Sequence, residues 1–478
     1  MTLTPLALML PLSLRATRLT AALGAVLFVS GCASNFNRPY QAPALTLPAQ
    51  YSQSVAGAES TAVPSAPGGL WWTRFKDPEL DRLVTEVLQR NNNLAAAAIR
   101  VRRAQLLAGL ADNNLQPRVS GSVGTGASLP LEAGAVTTRS SSVLLGAAYE
   151  IDLWNRLGSL RDVARWEALA TEQDRQSAAL ALVGTTASLY WQVGFLNQRL
   201  AANAESIAYA QTTFNLVQAQ YRAGAVSGLE VAQAQQTLAG QQANQSVLLQ
   251  LAFEARTALA LLFDGPPAQG LANPAILPVV LLPALDAGVP ASLLSRRPDL
   301  RAAELRLRGS FTGIDATRAS YYPALSLTGS LGSSSAQLSS VLQNPVGTLG
   351  LGMTLPFLQR TAMQLTIRVS ETQYEEAVVN FRQTLYTALG DVENALSSRL
   401  QLAEQGARLE ETLQAARTAE RLYEVRYRAG AATLSLWLDA QEKRRTADIA
   451  LATNQLARLN NQVVVYKALG GDAALPAP

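Results

Sequence analysis

The 478-residue chain contains no histidine and a single cysteine. Without histidine it lacks the commonest general base and metal ligand, which excludes a His-dependent triad or a histidine zinc site. A lone cysteine excludes disulfides within the chain. Beyond the first thirty or so residues, no apolar run is long enough to span a bilayer as a helix. Proline is missing between Pro130 and Pro266, and again between Pro356 and Pro476. No basic cluster with interleaved aromatics accompanies the net charge of +4, so nucleic-acid binding has no support. No nucleophile–base pair, phosphate loop or metal-ligand cluster appears, and no enzyme is expected.

The N-terminal end reads as an export signal, expected over residues 1–31. Arg15 and Arg18 precede an apolar run from Leu19 to Val29, which suits a signal h-region and is too short for a membrane span. The run ends in Val29-Ser30-Gly31-Cys32, small residues before a cysteine, which resembles the lipobox of bacterial lipoproteins. That resemblance implies a covalent lipid on Cys32 and no other cofactor. Ala33 after the cysteine, rather than an aspartate, points to the outer membrane. Residues 32–75 read as a lipidated tether rich in Pro, Ser, Ala and Gly.

The rest is one unit written twice. Tyr221-Arg222-Ala223-Gly224-Ala225 recurs as Tyr427-Arg428-Ala429-Gly430-Ala431, an offset of 206 residues. The same offset maps Leu94 onto Leu300, Arg100 onto Arg306 and Pro117 onto Pro323. The expected boundaries are 76–265 for the first repeat and 297–470 for the second. A proline-rich linker at 266–296 separates them, and a tail follows at 471–478.

Within each repeat the hydrophobic period changes. A helical pattern covers Pro78 to Leu115. Period-two alternation then appears, as in Val143, Leu145, Ala147, Tyr149, Ile151 and Leu153. Strand pairs are expected at about 118–153 and 324–357. The long proline-free stretches are rich in Ala, Leu, Gln, Glu and Arg, all good helix formers. The first has room for a helix roughly 100 Å long, which needs neighbours along its length. Gly224 and Gly430 suit the left-handed position after a helix end, with Arg222 and Arg428 in the last turn. Ser227 and Glu230 read as a capping box, with Thr433 as the cap in the second copy.

Four strands with one apolar face cannot close a membrane barrel, because closed barrels begin at about eight strands. An open sheet in lipid leaves unpaired edges costing several kcal/mol per group. Either the strands close with those of other copies, or they form an ordinary antiparallel sheet packed on helices.

Several segments carry a family resemblance: Trp71-Trp72 with Phe75, Asp77-Pro78-Glu79-Leu80, Tyr149-Glu150-Ile151-Asp152-Leu153-Trp154, Arg296-Arg297-Pro298-Asp299-Leu300, Tyr322-Pro323-Ala324-Leu325, Leu438-Asp439-Ala440-Gln441 and Tyr466-Lys467-Ala468-Leu469-Gly470-Gly471. Together they resemble the outer membrane factors of the TolC, OprM and NodT type, exit ducts of tripartite efflux and secretion systems. The resemblance implies an α+β membrane protein. Its homotrimer forms a twelve-stranded β-barrel, four strands per chain, continuous with a long α-helical coiled-coil periplasmic tunnel. The implied partners are a periplasmic adaptor, an inner-membrane pump such as the RND type, and outer membrane lipid. The competing reading is a lipid-anchored trimeric structural or adhesive coiled-coil lipoprotein, which leaves the paired strands unexplained.

The resemblance also implies a periplasmic gate at the two Tyr-Arg-Ala-Gly tips. Tyr427 matches a tyrosine that bonds between coils, Asp439 an acid lining the constriction, and Glu230 an acidic partner. Arg428, Tyr221 and Arg222 complete the tips. Each residue has a plainer alternative: Glu230 as a helix cap, Tyr427 and Arg428 as a helix end, Asp439 as a favourable charge in a first turn. Leu436, Ala432 and Ser435 depart from the gate residues of other members. Glu150 and Asp152 fall on the polar strand face, either in the lumen or capping the strand-to-helix junction.

Overall fold

The structure, a computed structural model, describes residues 38–52, 70–132, 134, 136–267, 273–278 and 290–471. The expected signal peptide and Cys32 lie outside the described residues, as do parts of the tether, linker and tail. A short 3-10 turn, Trp71–Phe75, leads into α1 (Pro78–Arg90) and α2 (Asn92–Asn113). Strands β1 (Arg118–Ser128) and β2 (Thr138–Ile151) follow, then α3 (Arg156–Arg222) and α4 (Gly228–Ala260). The second pass holds α5 (Pro298–Ala319), β3 (Ala324–Ser335), β4 (Val346–Thr354), α6 (Arg360–Arg428) and α7 (Leu434–Ala468). The pairs α2/α5, β1/β3 and α4/α7 each start 206 positions apart, so the duplication holds at the level of elements.

The alternation expected to reach Leu153 and Phe357 stops earlier. Asp152 turns the chain by accepting the Gly158 N–H at 2.8 Å, and Pro356, which has no N–H for a ladder, opens a 3-10 turn.

The chain divides into two compact units. The first comprises residues up to Ala44, Arg102–Ala170 and Ala303–Phe381, and contains the sheet. Its order is β1-β2-β3-β4, antiparallel throughout, leaving β1 and β4 as edges. Gly121, Leu145, Leu331 and Gly347 lie in one register row. One face therefore carries Val119, Leu145, Leu327, Leu349 and Leu351, which are 40–82% exposed. The other carries Ser120, Ser122, Thr328, Ser330 and Thr348, interleaved with glycines. Hydroxyls on this face pair across strands, as between Ser330 Oγ and Thr348 Oγ1 at 2.5 Å. Leu144 and Val346 break the polar pattern. Leu144 lies over Gly332, where a Cβ would sit 2.8 Å from its Cδ1. Trp154 joins two motif segments, stacking on Tyr322 at 5.1 Å and donating from Nε1 to the Pro323 carbonyl at 2.7 Å.

The described start of the tether is docked onto α5. Arg38 pairs with the buried Asp315 at 2.8 Å and lies over Phe311 at 4.9 Å. Burial beside Glu304 pushes the Tyr40 hydroxyl up to about 12.

The second unit comprises Leu45–Val101, Thr171–Ala302 and Arg382 onward. Its core gathers Trp71, Trp72, Phe75, Trp191 and Tyr466. Trp71 stacks on Tyr466 at 5.0 Å, and Phe75 meets Trp191 at 4.8 Å. Asp77 caps α1 by accepting from the Glu79 and Leu80 N–H groups, and also accepts the Tyr190 hydroxyl at 2.9 Å. Tyr51 is buried in a second cluster with Leu293, Leu300, Leu385 and Val465. Ser52 donates from backbone and hydroxyl to Glu393. The tether from Leu45 to Ser52 is thus held by apolar burial and a carboxylate. Composition alone reads such a segment as loose, because its partners lie hundreds of residues away. One window of α3 is apolar enough to cross a membrane by composition, yet 67% of it is buried as core.

Candidate channel wall and helical tip

Both helical hairpins end in the same way. Gly224 and Gly430 have φ of +73° and +74°, a conformation in which a side chain would clash with its own backbone. The Gly224 N–H donates to the Tyr221 carbonyl and the Ala225 N–H to the Gln220 carbonyl. Gly430 and Ala431 repeat this onto Tyr427 and Arg426. Both are Schellman ends, which satisfy the last carbonyls of α3 and α6.

The helices that follow start differently. At α4, Glu230 accepts the Ser227 N–H at 3.0 Å, and Ser227 Oγ accepts from the Leu229 N–H at 3.2 Å. Hydrogen bonds to the Glu230 carboxylate, from the Ser227 hydroxyl first and then from the Glu230 and Ser227 backbone N–H groups, hold it below its usual range. At α7, Thr433 occupies the cap position but its side chain makes no cap bond.

Tyr427 donates from Oη to Gln220 Oε1 at 2.9 Å, joining α6 to α3. Its ring stacks on Trp437 at 5.0 Å with an interplanar angle of 25°. Burial, with the Glu230 charge nearby, raises the Tyr427 pKa. Asp439 is exposed and paired to Lys443 at 2.7 Å, one turn along α7. Arg428 pairs with Glu424 at 2.6 Å on α6, and Arg222 donates to Gln218 at 3.1 Å on α3. Tyr221, the counterpart of Tyr427, is 51% exposed. The candidate tip residues thus fall into one connected contact, Tyr427 with Gln220 and Trp437, and several local pairs. Sequence reasoning missed Gln220 and Trp437. A bulky indole in a helix's first turn, beside a capping position, was the available signal for Trp437.

Glu150 and Asp152 sit at the strand-to-helix junction. Glu150 accepts from Arg156 at 2.7 and 2.8 Å, and Asp152 caps the start of α3 through Gly158. Glu150 shares the polar sheet face with Ser326 and Gly352. Among the described residues, no group of His, Cys, Asp and Glu could hold a metal ion.

The family described as outer membrane efflux protein matches residues 83–264 and 289–471, one match for each repeat. The chain belongs to the outer membrane efflux protein family. It is 33% identical over 431 residues to the pyoverdine export outer membrane protein OpmQ of Pseudomonas putida, covering 88% of this chain and 91% of that protein. The cation efflux system protein CusC of Escherichia coli is 29% identical over 458 residues, covering 93% and 96%. The solved outer-membrane channel OprN superposes with a TM-score of 0.83 at 26% identity, covering 91% of this chain and 99% of that one.

The efflux channel's two sheet faces now have distinct solvents. Three chains of four strands close a twelve-stranded barrel, joining each β4 edge to a β1 edge of the next copy. The Leu- and Val-rich face meets lipid, and the Ser, Thr and Gly face lines water. The protein is an outer membrane channel of an efflux system, a passive conduit without catalysis of its own. The adhesive-lipoprotein reading is not favoured, since it gives the two-faced sheet no role.

Proposed function

We propose that this channel is the lipid-anchored exit duct of a tripartite pump, closed at its helical tip until an adaptor engages it. The observation that carries the gate is the contact between non-equivalent hairpins: Tyr427 of the second copy bonds Gln220 of the first, while Tyr221 is exposed. Glu230, Arg222, Arg428 and Asp439 shape the same tip. Acylation of Cys32 holds the chain in the inner leaflet, an RND-type pump supplies energy, and the adaptor transmits it. The relatives are named for exporting cargoes as different as pyoverdine and cations. A hydroxyl-lined wall suits such breadth, because it wets the lumen without selecting charge. Cargo is therefore set by the pump.

Tyr427→Phe removes the bond to Gln220 and keeps the stack on Trp437. Uptake of a large antibiotic such as vancomycin is expected to rise several-fold in cells carrying it. Wild-type uptake would remove this contact from the gate. Because Asp439 and Lys443 neutralise each other, their single substitutions should act in opposite directions. Asp439→Ala shifts a planar-bilayer channel toward anions, and Lys443→Ala shifts it toward cations. Both shifts shrink at high salt, since the pair is exposed. If neither substitution moves the reversal potential, the pair does not line the bore. For the anchor, alkyne-palmitate labelling should be lost in Cys32→Ser; retained label would refute acylation there.

A further inference from the structure

Trp437 lies 206 positions after Val231, so the two repeats place different side chains at one site of the tip. Trp437 is 2% exposed, although it stands in the first turn of α7. It stacks on Tyr427 of α6 and meets the edge of Tyr209 of α3 at 6.0 Å and 83°. Val217 of α3, Ala234 of α4 and Leu434 of α7 complete its pocket, each no more than 2% exposed. One indole therefore touches or shares a core with all four helices of the two hairpins. Val231 packs at the margin of the same cluster and is only partly buried.

The charged tip residues reach the other hairpin only through tyrosine hydroxyls, Glu424 acting on Tyr209 and Glu230 on Tyr427, and otherwise pair locally. Asp439 pairs with Lys443 within α7, Arg428 with Glu424 within α6, and Glu230 caps its own helix. Among the described residues of the tip, no ion pair joins one hairpin to the other. We infer that Trp437 is the positioning residue of the closed tip, holding the second hairpin on the first by burial and ring contact where no ion pair does so. This rests on the proposal that the tip is the gate. An indole seated between the hairpins must leave its pocket, or carry α3 and α4 with it, before the second hairpin can swing away. The divergence between Trp437 and Val231 makes only one of the two hairpins the locked one.

The test uses the purified full-length channel in planar bilayers. Trp437→Val, which installs the side chain of the first repeat, is expected to raise open probability roughly tenfold or more. Trp437→Phe keeps a ring on Tyr427 and should stay within about twofold of the parent, with SDS-resistant trimer unchanged in both. Should Trp437→Val fail to assemble, Tyr209→Leu removes the edge contact from the first hairpin and should also raise open probability. If Tyr427→Phe opens the channel while Trp437→Val, or Tyr209→Leu in its place, behaves like the parent, the tip is the gate but Trp437 does not hold it. If every one of these variants is silent, the tip is not the constriction and both readings fall.

Discussion

Leu349→Lys is expected to abolish assembly of the channel in the outer membrane. Leu349 is 82% exposed in a single chain and shares its face with Leu351 and Met353. In the closed barrel that face meets hydrocarbon. A lysine near the bilayer midplane costs about 2–4 kcal/mol, and the trimer would carry three. The loss is comparable to the whole stability of an ordinary domain. Thr348→Lys, one residue away, points to the aqueous side and should be tolerated, at the expense of the hydroxyl contact with Ser330. Outer membrane fractionation and heat-modifiable trimer on gels read both. Equal loss in the two variants, or none in Leu349→Lys, would overturn the assignment of faces.

Arg297→Ala should be the most damaging single substitution in the helical part. The Arg297 side chain is 12% exposed and pairs with Asp299 at 2.7 Å and Asp391 at 3.2 Å. It also donates to the Ala468 carbonyl at 3.3 Å, next to the end of α7. Removing it takes the counter-charge from two carboxylates and the side-chain donor from a helix-end carbonyl. The expected loss is about 2–3 kcal/mol, below the value for a fully buried pair because both acids are partly solvated. Arg297→Lys should not restore it, since an ammonium cannot fork between two carboxylates. The pH dependence has a defined sign. Burial opposes ionisation of Asp299, but the Arg297 hydrogen bonds and charge outweigh it and hold the carboxyl below its usual range. A carboxyl with a lowered folded pKa stabilises the protein above its unfolded value, about 3.9, and loses that contribution as pH falls through the lower folded value. Thermal melts of detergent-solubilised protein at pH 7 and below pH 4 should show this acid loss in the parent and a flatter response in Arg297→Ala. An unchanged melting temperature at pH 7 would refute the anchoring role.

The same corner holds Gly470, at φ +75° in the Schellman end of α7. A Cβ there would stand 2.7 Å from the Arg296 carbonyl carbon, a backbone atom that has no rotamer to escape into. The motifs Arg296-Arg297-Pro298-Asp299 and Leu469-Gly470-Gly471, far apart in sequence, are two halves of one contact.

What the sequence by itself determined is local or periodic. The duplication, the Schellman glycines, the capping box at Ser227 and the two faces of the strands depend on neighbours within a few residues, or on a repeat of fixed offset. The chemistry of Ser, Thr and Gly alternating with Leu and Val even implied that one chain could not close its own barrel, because lipid does not satisfy an open edge. What only the tertiary structure decided involves partners distant in the chain. The docking of Arg38 on Asp315 spans 277 residues, and the Tyr427–Gln220 bond spans 207. The burial of Trp437 needs Tyr209, Val217 and Ala234, which no period or motif ties to it. Side-chain pairing at the junction followed the same rule. Glu150 and Asp152 could be placed on a face by alternation, but whether they met water or Arg156 and Gly158 depended on how the chain turned after β2. Local propensity and periodicity act over a few residues, whereas packing selects its contacts by shape across the fold, and that selection is made only when the helices come together.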